Sequence, residues 1–161
     1  MDSQTLFRSF RLNGRAPHLS DLDLYARVFG TVEGASRLAA DLQDWDRYRV
    51  SPWVMFHADY PVGVAGFRIG FGGEGLELSF HFLPEVAGQG LASEFVQAAL
   101  DQAASLYRED QFFAMVSLDN AASIRVLEKV GFVGDPPVGG QRRMRLTLTP
   151  RAGQDRAVPS V

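Results

Sequence analysis

The sequence predicts an α/β (α+β) domain: a mixed central sheet of about six to seven strands with an antiparallel N-terminal meander, flanked by about four helices. Three observations predict it. Alternating apolar runs between Trp53 and Leu83 are joined by turns too short for anything but antiparallel pairing. The run Pro84-Glu85-Val86-Ala87-Gly88-Gln89-Gly90-Leu91-Ala92-Ser93-Glu94 then leads from a strand through a glycine-rich turn into a helix. After that helix, residues 112–118 form another strand, which the crossover rule places parallel to the strand at 76–83.

In chain order, Phe7, Phe10 and Leu12 sit among polar residues and read as a first strand. Ser20-Asp21-Leu22-Asp23 reads as a helix start, with Ser20 as cap and an acidic first turn. Leu24, Tyr25, Val28 and Phe29 give that helix its apolar face. A second helix spans 32–48, where Ala35, Leu38, Ala39, Leu42 and Trp45 recur at three- and four-residue spacing. Strands follow at 53–57, 62–71 and 76–83, with turns at 58–61 and at Gly72-Gly73-Glu74-Gly75. Leu91, Phe95, Ala98, Ala99, Gln102, Ala103 and Leu106 mark the long helix after the glycines. The last helix runs from Asn120 to Val130 with Gly131 as its left-handed cap, and a final strand covers 141–149. Residues 1–149 thus form one domain, and the Ala-, Gly- and Pro-rich stretch at 150–161 reads as a frayed tail.

Composition narrows the function classes. The chain has 161 residues, 46% hydrophobic and 22% charged, which suits a soluble domain with a sizeable core. No apolar run approaches the ~18 residues of a membrane span. The N-terminus, Met1-Asp2-Ser3-Gln4-Thr5, lacks the basic and apolar regions of a signal peptide, so a cytoplasmic protein is expected. With no cysteine there is no disulfide, thiolate metal site or cysteine nucleophile, and no metal is expected. A net charge of −3 gives no global case for nucleic-acid binding, and Arg142, Arg143 and Arg145 read as a solvated strand edge.

The glycine turn is the strongest chemical signal. Glycines let the backbone approach an oxygen closely, and a helix start presents free N–H groups and a positive dipole to an anion. A phosphate-bearing cofactor is therefore expected. A P-loop would need Lys followed by Ser or Thr after the glycines, and none follows Gly90. A dinucleotide fingerprint would need glycine where Ser93 stands, and a βαβ unit where the meander lies.

The loop at 84–94 resembles the coenzyme A pyrophosphate loop of the GNAT acetyltransferase family. Downstream, Asn120-Ala121-Ala122-Ser123-Ile124-Arg125-Val126-Leu127-Glu128-Lys129-Val130-Gly131-Phe132 is similar to that family's second signature, N-x-x-S followed by E-K-x-G-F. Element order agrees over residues 6–149, and the Pro84-Glu85 pair resembles the Rim-type branch. The resemblance implies acetyl-CoA as cosubstrate and a primary amine as acceptor, either a small molecule or a protein N-terminus. It implies no nucleic acid and no membrane, and a monomer or homodimer. The backbone around Gly88, Gln89, Gly90, Leu91, Ala92 and Ser93 would hold the pyrophosphate, with Glu85 turned outward. The strands at 76–83 and 112–118 would splay, and the pantetheine arm would bond to the backbone of Phe82 and Leu83 like an added strand. Asn120 and Ser123 would contact the cofactor, Asn120 also capping its helix.

Direct attack on the acetyl group needs a neutral amine and hence a base. Glu77 stands where Rim-type relatives often carry an acidic residue, so the resemblance makes it the first candidate. Alternation puts Glu77, Ser79, His81 and Leu83 on one strand face, which makes His81 the second, with His57 a distant third. Many family members carry Tyr as general acid where this chain has Leu127, which leaves Ser123 as the nearest hydroxyl. The alternative function is a catalytically weak, regulatory acyl-CoA-binding module. Trp45, Trp53 and Tyr60 are candidates for an acceptor pocket, with core packing the better reading for both tryptophans.

Overall fold

Phe7 and Leu12 are both fully buried, but on separate strands, in the computed structural model, which describes residues 4–70 and 75–148. β1 (Thr5–Arg8) and β2 (Leu12–Arg15) form a hairpin whose turn carries Phe10 out into solvent. The single first strand expected from the sequence is therefore two. The bend is held from outside: the Ser9 hydroxyl and the Arg11 backbone N–H both donate to the Glu94 carboxylate, at 2.5 and 2.8 Å.

α1 (Leu22–Phe29) follows a 3-10 turn, Leu19–Asp21, and Ser20 is not the cap. The His18 ring accepts from Ser20 N–H, while the Asp21 carboxylate turns back to accept from His18 N–H at 2.7 Å. Asp21 also takes the Arg15 guanidinium in a two-pronged pair at 2.7 and 2.8 Å, which draws it away from its own helix. α2 (Thr31–Tyr48) packs closely on α1 at Gly34, where an added Cβ would lie 2.5 Å from the Tyr25 carbonyl oxygen.

β3 (Pro52–His57), β4 (Tyr60–Ile69) and β5 (Leu76–Phe82) make the expected antiparallel meander. The glycine turn before β5 falls largely on residues 71–74, outside the described residues, as do Thr149 and the tail at 150–161. α3 (Leu91–Leu106) crosses to β6 (Gln111–Ser117), which runs parallel to β5. α4 (Ala121–Lys129) begins on Asn120, whose side-chain oxygen accepts from Ser123 N–H at 3.1 Å. It ends as expected at Gly131, with Phe132 N–H reaching back to the Leu127 carbonyl at 3.0 Å. β7 (Val133–Gly134) and β8 (Gln141–Thr147) complete a sheet of order β1-β2-β3-β4-β5-β6-β8-β7.

That order corrects the reading of the three arginines as a solvated edge. β8 lies between β6 and β7, so Arg143 packs over the Phe113 ring at 4.5 Å and Arg145 pairs with Asp135 at 2.7 Å. Two apolar clusters sandwich the sheet. The larger, with Phe7, Trp53, Phe67, Phe95 and Leu127, packs against α3 and α4; the smaller, with Leu24, Tyr25, Leu38, Val64 and Leu83, lies under α1 and α2. Among the described residues no helix is long and apolar enough to cross a membrane.

Candidate active site

β5 and β6 pair at two positions only, Leu76 with Phe112 and Glu77 with Phe113. Beyond them the strands diverge and leave a cleft of about 330 Å³ in the middle of the sheet. Glu77, Ser79 and His81 line it from β5, Met115 and Ser117 from β6, and Asn120 and Ser123 from the start of α4. The backbone inside the cleft is asymmetric. Leu83 N–H already donates to the Val62 carbonyl at 2.8 Å, so it offers no amide to an extended ligand. Strand alternation then turns the N–H groups of Phe80 and Phe82 toward the gap. The sequence reading expects the backbone of both Phe82 and Leu83 to bond to the pantetheine arm; of the two, the N–H of Leu83 is already engaged by β4.

The two faces of β5 divide the chemistry. Leu83 belongs to the cluster under α1 and α2, and the His81 ring meets Phe29 edge-on at 4.9 Å, so the face of Glu77, Ser79 and His81 looks toward those helices. Two guanidiniums join it: Arg68 of β4, directly opposite Glu77 in the ladder, and Arg37 of α2. Behind Arg68 lies Asp41, fully buried, which accepts hydrogen bonds from Arg68 and, at 2.6 Å, from the Tyr25 hydroxyl. Burial lifts the Asp41 carboxyl to about 6, against the downward pull of Arg68 and Tyr25. Burial and the charge of Asp41 raise the Tyr25 hydroxyl well above the usual phenol range.

His81 is driven the other way. Crowding by protein and then the charges of Arg37 and Arg68 lower its pKa to about 4, so the ring is neutral at pH 7. The residue is exposed to solvent at the cleft mouth. His57 lies outside this lining, at the end of β3 opposite Tyr60. Trp53 is 1% exposed and stacked on Phe7, Tyr60 is out in solvent, and Trp45 lines a second concavity beside His18 and Arg49.

On the other side stands the glycine turn. Gly88 and Gly90 have φ of +77° and +76°, which an L side chain rarely adopts, and no side chain caps α3. Nothing lies within 4 Å of a Cβ built on Gly88, and only an Arg11 guanidinium nitrogen, at 3.6 Å, approaches one on Gly90. An open cradle of free amides edged by a guanidinium fits a pyrophosphate. Arg11 is fixed there by Glu94 at 2.8 Å and by the Gln89 carbonyl at 2.9 Å. Burial favours protonation of Glu94, but the hydrogen bonds from Ser9 and Arg11 outweigh it and hold the carboxyl below its ordinary value. Glu85 points outward and pairs with Arg27 at 3.0 Å. Leu127 is fully buried in the larger cluster, so that position serves packing rather than proton transfer.

The sequence reading missed Arg68 and Arg11 and gave Arg37 and Asp41 no individual role. Signals existed for two of them. Asp41 falls on the apolar stripe of α2 beside Leu38 and Leu42, and Arg68 interrupts Phe67 and Ile69 in mid-strand. Arg11 had no local signal, because its partner lies 83 residues away.

A mixed sheet opened between two parallel strands, beside an anion-accepting turn at a helix start, can seat an extended, pyrophosphate-bearing cosubstrate, and the family match gives the class: an acyltransferase that draws its acyl group from acetyl-CoA. The sequence profile of the acetyltransferase (GNAT) domain matches residues 11–133, and the chain belongs to that family. No curated protein sequence matches it. Among solved structures it is similar to an acetyltransferase from Agrobacterium tumefaciens str. C58, with 22% identity, TM-score 0.75, 92% of this chain and 96% of that one covered. It is also similar to RimL, a ribosomal L7/L12 alpha-N-protein acetyltransferase in complex with coenzyme A, with 16% identity, TM-score 0.73 and coverage of 90% and 98%. A third, from Salmonella typhimurium, modifies the N-terminal serine of 50S ribosomal subunit protein L7/L12; identity is 16%, TM-score 0.70 and coverage 88% and 97%.

Proposed function

We propose that this protein is an N-acetyltransferase of the Rim-type branch that moves acetyl from acetyl-CoA to a primary amine by direct attack within a ternary complex. The observation that carries the reading is the two-pair ladder between β5 and β6, which leaves unpaired backbone beside Glu77 and His81. The cradle at Gly88, Gln89, Gly90, Leu91, Ala92 and Ser93 would take the pyrophosphate. The amides of Phe80 and Phe82 would bind the pantetheine arm as a neighbouring strand does, one of them facing the carbonyl oxygen as charge develops on it. Asn120 and Ser123, which line the cleft, would flank the arm.

The acceptor amine must be neutral to attack. Arg37 and Arg68 supply a positive field that disfavours an ammonium ion at the cleft, as it disfavours the protonated form of His81. Glu77 then takes the proton released as the N–C bond forms, directly or through water, with neutral His81 beside it. The C–S bond breaks and the thiolate departs with little help, since a thiol's pKa is ~8.5.

Thiol release from acetyl-CoA over a panel of amines, with thermal melts in CoA, tests this. CoA is expected to raise Tm in the wild type and in Glu77→Gln alike, while amine-dependent thiol release falls about 100-fold or more in the variant. Stabilisation by CoA with no amine-dependent release in the wild type would overturn the enzyme reading in favour of a regulatory CoA-binding module. Stabilisation by NAD or ATP but not by CoA would overturn the cofactor assignment.

A further inference from the structure

The helices over the acceptor side carry both signs of charge in sequence, and the fold sorts them. Asp41 is fully buried behind Arg68. Glu33, which pairs with Arg37 at 2.8 Å, does not line the cleft, whereas Arg37 and Arg68 do. Each guanidinium is held from behind by a carboxylate, and Arg37 also lies over the Phe29 ring at 4.5 Å. An arginine fixed at one edge presents its remaining N–H groups forward in a planar fork, the geometry that matches a carboxylate. Against two such forks the acceptor side of the cleft sets, among the described residues, one lining carboxylate, Glu77.

We propose that the acceptor is an amine carrying a carboxylate close to it, bound by Arg37 and Arg68 while the amine faces Glu77 and His81. The inference rests on the acetyltransferase reading above and names its substrate class. The chemistry is shared by a free amino acid and by a peptide with an acidic residue just behind its N-terminus. A polyamine brings only further positive charge toward the two guanidiniums and is disfavoured.

The test uses full-length wild type and Arg37→Gln with acetyl-CoA, reading kcat/KM from thiol release at matched concentrations of neutral amine. The arms are 4-aminobutanoate against 4-aminobutanamide, N-terminal Ser-Glu against Ser-Gln peptides with blocked C-termini, and spermidine. The wild type is expected to favour the carboxylate member of a pair by about tenfold, the size of one charge-assisted contact. Added salt is expected to erode the preference, and Arg37→Gln to cut the ratio about threefold through KM. Whichever pair carries the effect identifies small molecule or peptide. Equal or better use of the uncharged amides, or of spermidine, overturns this inference and leaves the acetyltransferase reading intact. Loss of all amine-dependent release, with CoA still stabilising the fold, overturns both.

Discussion

Asp41 shows how far one residue's surroundings can depart from its sequence neighbourhood. It sits on a helix rich in exposed charge, yet its carboxylate is fully buried between the Tyr25 hydroxyl and Arg68. Removing one hydrogen bond from a buried, charged acceptor costs about 1.5–3 kcal/mol. Tyr25→Phe is therefore expected to lose that much in urea unfolding, with an unchanged m-value because no further surface is exposed. The network was half legible: an aspartate on an apolar stripe signals a buried partner, but no local pattern says that the partner comes from β4. Glu77 and His81 were readable together because strand alternation is a local rule; the guanidiniums facing them arrive from elements far away in sequence.

At the scale of elements, the α1–α2 contact is set by Gly34. An added Cβ would meet the Tyr25 carbonyl carbon at 2.6 Å and the Ala26 nitrogen at 2.8 Å, all backbone that cannot rotate away. Gly→Ala inside a helix ordinarily gains up to ~1 kcal/mol, while overpacking costs ~1–3 kcal/mol. Gly34→Ala is thus expected to destabilise despite its better helix propensity, and a rise in Tm would refute the close-contact argument. The meander and the glycine turn were legible because short connections and glycine punctuation are local. The N-terminal hairpin was not, because its Ser9–Leu12 turn lacks glycine or proline punctuation and is clamped from outside by Glu94 on a distant helix.

For the whole molecule, His81 at the cleft mouth and the buried Asp41 pull stability in opposite directions with pH. His81 has a folded pKa of about 4 against an ordinary 6.5, so the unfolded chain takes up a proton first. Its contribution is complete above 6.5 and is lost as pH falls toward 4. Asp41 is raised from 3.8 to about 6, so its contribution is complete below 3.8 and is lost as pH rises through 6. Thermal melts at about pH 7.5 and about pH 5 separate them. His81→Gln is expected to lose less Tm on acidification than the wild type, and Asp41→Asn to lose more. Identical slopes in all three proteins would remove both groups from the account. The overall architecture was legible because element order and periodicity constrain topology strongly. The sorting of charge between cleft and interior was not, since it depends on which faces meet.

The contact from Arg11 to Glu94 and to the carbonyl of Gln89 also has a meaning in time. It joins residues 83 positions apart, across nearly the whole meander and its helices. Contacts of such separation form late, because the long intervening chain must be ordered before they are rewarded. A nascent chain that has completed α3 but not docked its first hairpin has the glycines in sequence, yet lacks the guanidinium beside them. If the cradle takes the cosubstrate as proposed, CoA binding during refolding is expected to follow the docking of the first hairpin rather than the growth of α3, and stopped-flow binding that tracks helix formation instead would overturn this.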